Sequence, residues 1–127
     1  MMRAAGTLML CAALLATSSA PVLAAAAPKA RLKVVYGVKG GGAKSAYLNC
    51  APTGGTHPNA RAACRLLKQA GGDPAKLNVK PDAACTREFQ PHAAVIVGTW
   101  YGKNVRWGKV YANGCHMRAA TGAVLAL

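Results

Sequence analysis

Acidic side chains are nearly missing from this chain: 3 Asp plus Glu stand against 16 Lys plus Arg, a formal net charge of +13 over 127 residues. The three are Asp73, Asp82 and Glu88, too few to furnish the orienting carboxylate that a catalytic set around His57, His92 or His116 needs. No enzyme is expected. CxxC and HxxxH spacings are both absent, which leaves zinc without its usual ligand patterns, and no metal or other cofactor is expected. No apolar stretch reaches the roughly 18 uninterrupted residues of a membrane-spanning helix. Internal repeats are absent too.

What is present begins with a leader. A basic start at Arg3, an apolar run from Leu8 to Ala16 and small residues from Ala20 to Ala27 read as a secretory signal peptide over residues 1–26, with cleavage after Ala24 or Ala26. Residues 27–127 then form one small domain, secreted and extracellular, with no membrane attachment after cleavage. Cys11 leaves with the leader, since Leu10 before it is too large for a lipoprotein processing site. Four cysteines remain, Cys50, Cys64, Cys85 and Cys115, and in an exported domain this small they suggest disulfides that supplement a modest core. Four cysteines allow three pairings. The local one, Cys50 with Cys64 and Cys85 with Cys115, closes modest loops and needs no crossing.

The hydrophobic pattern predicts an α+β sandwich of two layers. Residues 28–38 alternate, with Leu32, Val34, Tyr36 and Val38 on one side, and Ser45 to Cys50 alternate again after the Gly40-Gly41-Gly42 break, as an antiparallel hairpin would. Ala51 to His57 reads as loop. Pro58 suits a first helical turn, and Ala60 to Ala70 is a helix with Ala63, Leu66, Leu67 and Ala70 inward, and Arg61, Arg65 and Lys68 outward, ending at Gly71-Gly72. Asp73-Pro74 caps a short second helix through Leu77. Residues 93–101 and 104–112 are strands rich in Val, Ile, Trp and Tyr, joined by a turn at Gly102-Lys103, and Thr121 to Leu127 is expected as a last strand. Trp100 and Trp107 are read as core or sheet-face residues, as are Tyr36 and Tyr47, and His57 as a helix-start or loop residue.

Between the third cysteine and the strong strand lies Cys85-Thr86-Arg87-Glu88-Phe89-Gln90-Pro91. A cysteine at its head and a proline at its foot make it an exposed loop with restrained ends, and an arginine there is what a trypsin-like pocket accepts. An ordinary surface loop is the competing reading. The excess charge invites another, a cationic extracellular module for nucleic acid or anionic surfaces. The basic residues (Lys29, Lys44, Arg61, Lys68, Lys80, Arg106, Arg118) are scattered along the chain, however, and no nucleic-acid partner is expected.

Several motifs carry a resemblance. Cys50-Ala51-Pro52, Gly55-Thr56-His57-Pro58, Ala63-Cys64 and Gly71-Gly72-Asp73 are followed by Gly98, Trp100, Gly102-Lys103, Val105, Val110, Asn113, Cys115 and Met117, in an order and spacing that resemble the subtilisin-inhibitor-like family. The likeness runs from about residue 30 to the C-terminus. It implies a secreted serine-protease inhibitor with an antiparallel sheet of about five strands, two helices, two disulfides in the local pairing and a homodimeric state. It also implies a reactive bond two residues after the third mature cysteine, Arg87-Glu88, offered to trypsin-like and subtilisin-like enzymes. Two departures bear on loop rigidity: Thr86 stands where a proline is frequent, and Gln90 where Asp often precedes Pro91.

Overall fold

The computed structural model describes residues 26–127; the signal-peptide reading, apart from Ala26, and Cys11 lie outside the described residues. Strands β1 (Ala30–Val38), β2 (Ala43–Cys50), β3 (Gly54–Gly55), β4 (His92–Trp100) and β5 (Lys103–Tyr111) form one antiparallel sheet in the order β3-β2-β1-β4-β5. Helices α1 (Ala60–Gln69) and α2 (Gly114–Thr121) and short 3-10 turns at Pro74–Lys76 and Gly122–Leu125 complete the domain. The period of two in the sequence sets the sheet's inner face: Leu32, Val34, Leu48 and Ile96 are buried, whereas Arg31, Lys33 and Tyr47 face out. Ala63 and Leu67 of α1, Met117 of α2 and Val124 with Leu125 close the core from the other side. Each fully buried Leu or Ile contributes about 1.5–3 kcal/mol.

The Cys50–Cys64 disulfide ties the end of β2 to α1, across the layer boundary. At Gly98 the φ of +146° and the approach of the Arg31 carbonyl leave no room for a Cβ, so β1 and β4 meet there with backbone against backbone.

Four sequence expectations are corrected. Thr121 to Leu127 does not extend the sheet: Thr121 ends α2, its hydroxyl donating to the Met117 carbonyl at 2.6 Å, and Val124 and Leu125 are buried as consecutive residues, which no strand alternation allows. The carbonyls of Val124 and Ala126 are taken by the His57 ring at 2.9 Å and by the Asn59 amide at 3.1 Å. Pro58 precedes the N-cap, Asn59, and does not sit in the first turn. The segment read as loop from Ala51 to His57 contains β3, and the tight turn lies at Tyr101-Gly102, with Lys103 already in β5. Asp73 does cap the short turn as expected, accepting from the Ala75 amide at 3.0 Å.

Candidate binding loop

The segment from Cys85 to Gln90 is an irregular, surface-lying stretch in which Thr86, Arg87, Glu88, Phe89 and Gln90 are all exposed, and Pro91 leads directly into β4. Phe89 is 77% exposed, an unusual position for the only phenylalanine of the chain. The loop is held at its head by the Cys85–Cys115 disulfide, which spans 30 residues and anchors it to the first turn of α2. Closing a loop of this length stabilises the folded chain by about 3–4 kcal/mol.

Its middle is held by one side chain. Asn113 is 4% exposed; its amide donates to the carbonyls of Thr86 at 3.0 Å and Glu88 at 2.8 Å, one on either side of Arg87. The oxygen of the same amide accepts from the His116 backbone N–H at 3.0 Å and so caps α2. One buried group thus fixes both the helix and the loop.

The foot is tied by main chain: Gln90 N–H donates to the Ala112 carbonyl at 2.8 Å, and Lys39 N–H to that of Pro91 at 3.0 Å. The Nδ1 of His92 meets the Gln90 carbonyl at 2.7 Å, which requires a proton on Nδ1, and the ring stacks on Tyr36 with centroids 5.9 Å apart. Tyr111 is paired with His92 across β4 and β5, and burial raises its hydroxyl above the ordinary 10.0.

Behind the loop, Gly114 leaves space where a Cβ would lie 3.0 Å from both His92 Nε2 and Arg118 Nη1. His57 has both ring nitrogens occupied, by the Val124 carbonyl and by the Asn59 N–H at 2.9 Å, and lies in the loop ahead of α1. Trp100 is 9% exposed and belongs to the core, Trp107 packs partly against it, while Tyr47 is 57% exposed on the outer sheet face. Among the described residues no group of three or more His, Cys, Asp or Glu is placed to hold a metal ion, and no helix is long and apolar enough to cross a membrane.

Both disulfides have the local pairing. The role of Asn113 is not legible in the sequence, because Gly114, Cys115 and His116 after it are poor helix formers and mask the N-cap.

The comparisons with known proteins agree with this architecture. Residues 26–113 match the family model described as subtilisin inhibitor-like. The chain is 44% identical over 86 residues to a subtilisin inhibitor of Streptomyces violaceus, an alignment covering 66% of this chain and 59% of that relative. To plasminostreptin of Streptomyces antifibrinolyticus it is 47% identical over 73 residues, covering 57% of this chain and 67% of that one. Among solved structures, Streptomyces caespitosus sermetstatin in complex with Bacillus licheniformis subtilisin is similar with a TM-score of 0.62 at 26% identity, over 77% of this chain and 98% of that chain.

Proposed function

Because the chain belongs to the subtilisin inhibitor-like family, we propose that it is a secreted inhibitor of serine proteases, with Arg87-Glu88 as the bond presented to the enzyme and with trypsin-like as well as subtilisin-like targets. The observation that carries this reading is the clamp around Arg87: the flanking carbonyls are tied to one buried amide, while the arginine itself is exposed.

The loop binds as a substrate does, its backbone laid along the cleft and Arg87 inserted in the specificity pocket. The planar guanidinium makes paired, charge-assisted bonds to an acidic group at the bottom of a trypsin-like pocket. Contact over about 1,600 Å² in total completes the association. Attack on the Arg87 carbonyl gives an acyl-enzyme and frees the amine of Glu88. In a flexible peptide that amine diffuses away. Here the Glu88 carbonyl stays bonded to Asn113 and the chain ahead of Arg87 stays bonded through Cys85, so the amine remains beside the ester and reforms the peptide bond faster than water enters. The loop has also surrendered its conformational freedom before binding, which lowers the entropic cost of association.

The proposal includes a homodimer, supported by the exposed Val95 and Val110 on the outer face of the sheet, which offer a second copy an apolar contact. Neither the fold nor the relatives' names favour the cationic-module reading as the primary role. Titrating active-site-counted trypsin and subtilisin with the mature protein is expected to extinguish both activities at one inhibitor chain per enzyme. Undiminished hydrolysis at a tenfold molar excess over both enzymes contradicts the proposal.

A further inference from the structure

We propose that the end of the domain remote from Arg87 is a binding site for a linear, phosphate-rich polymer, so that the inhibitor is held on a polyanion while its loop remains free. The claim about the free loop rests on the reading above; the polymer site does not.

The charge scattered in the sequence is gathered by the fold. The loop meets the body where Val38, His92 and Tyr111 are aligned, and the opposite edge of the sheet is where Ala30, Cys50, Trp100 and Lys103 are aligned. Nine residues of β1 and of β4 separate the two ends, or about 25 Å at strand rise. At the remote end α1 presents Arg61, Arg65 and Lys68, all exposed, at intervals of four and three residues; these fall on one helix face with an axial spacing of about 5–6 Å. They line a groove whose far wall is Trp100 and Tyr101. Trp100 also lines a second groove, continued by Lys76, Lys103 and Arg106. The two grooves therefore meet at Trp100, with cations lining each of them. Lys29 reaches the rim, its ammonium 5.8 Å from the Tyr101 ring centroid.

Arg31 and Lys33 add to the same end on the outer sheet face, in cross-strand rows with Asn104 and Arg106. Against these stands a single acid, Asp73, whose carboxylate already accepts from the Ala75 amide. Asp82 and Glu88 lie on the side of the loop.

The chemistry selects the ligand. A tetrahedral phosphate has oxygens for donors on two walls at once, whereas a carboxylate presents both of its oxygens in one plane to one side. Two of the three helix cations are arginines, whose fork matches phosphate oxygens in pairs. Bases find little platform beside these cations: Trp100 is 9% exposed, and the half-exposed Tyr101 ring already carries a lysine. A chain of phosphates without bases fits what remains, and releases counterions along its length.

The test uses long-chain inorganic polyphosphate, with single-stranded DNA and polygalacturonate of matched charge as comparators, and measures binding to the mature protein between about 50 and 200 mM salt. One variant carries Arg61→Gln, Arg65→Gln and Lys68→Gln; a second removes as many charges from the loop half through Lys44→Gln, Lys80→Gln and Lys109→Gln. Glutamine preserves helix propensity, and circular dichroism checks that both variants fold. The site predicts polyphosphate binding that falls at least about tenfold in the first variant, with the salt slope reduced by about 2, and changes less than about threefold in the second. Equal losses in both variants, no polyphosphate binding, or tighter binding of DNA or polygalacturonate overturns it. Protease titration in the presence of polyphosphate is scored separately, so failure of the inhibitor reading leaves the polymer result interpretable.

Discussion

Replacing Arg87 by alanine is expected to weaken trypsin inhibition by at least about 1,000-fold, which corresponds to about 4 kcal/mol, while leaving the thermal midpoint almost unchanged. The first half follows from the pocket. An arginine buried at the centre of an interface, paired with an acidic group, belongs to the small class of residues whose truncation removes several kcal/mol. The second half follows from the loop: the side chain of Arg87 is exposed and the core lies elsewhere, so its removal falls within the roughly 0.5 kcal/mol of ordinary surface changes. Arg87→Lys separates charge from shape, because the ammonium keeps the attraction and loses the paired geometry; an intermediate loss is expected. Subtilisin, which grips the same backbone without requiring a cation, is expected to lose less than trypsin with the alanine variant. Inhibition constants for both enzymes, with melting curves, check all three statements. Tight trypsin inhibition by the alanine variant would remove Arg87 from its assigned place.

Asn113 carries the second large effect. Asn113→Asp retains the oxygen that accepts from the His116 N–H but loses both donors to the carbonyls flanking Arg87. The helix cap survives and the loop clamp does not. Two lost hydrogen bonds, at about 1 kcal/mol each, translate to at most about 30-fold, the limit in which cleavage would itself release both, and the added charge facing two carbonyl oxygens pushes in the same direction. The expected result is an inhibitor that is slowly digested: trypsin carries Arg87-Glu88 further toward the cut form at equilibrium, by up to about 30-fold, while α2 remains. Asn113→Ala removes cap and clamp together and is expected to lower the melting temperature as well, by several degrees for about 1 kcal/mol of capping. The ratio of cut to intact protein, read by mass spectrometry after prolonged incubation, distinguishes clamp from cap. If Asn113→Asp is cut no further than the natural chain, the carbonyl bonds do not govern resealing.

How much of this was legible beforehand depended on the kind of signal. Strand alternation in Leu32, Val34 and Ile96 is a local pattern with one physical meaning, and the sheet and its inner face follow it directly. The helix with Ala63 and Leu67 inward is equally local. The end of the chain was misread because Ala123-Val124-Leu125 is apolar without periodicity: an apolar run of that length suits a strand as well as a buried turn, and only the packing under α1 decides between them. The place of Arg87 came from cysteine spacing and family likeness, not from any chemistry that an isolated Thr-Arg-Glu displays. The clamp was invisible for a different reason. Asn113 and Glu88 are 25 residues apart, and a contact between two loops leaves no period in the sequence. The remote basic end was hidden likewise, since Arg61, Arg65 and Lys68 of α1 and Lys103 and Arg106 of β5 come to line grooves that meet at Trp100 only in the folded chain.

The most direct test is a crystal structure of the mature protein bound to trypsin. The account predicts Arg87 in the specificity pocket, its carbonyl carbon facing the catalytic serine, and the Asn113 bonds to Thr86 and Glu88 intact. A complex in which another surface fills the cleft and residues 86–90 stand free in solvent would contradict it.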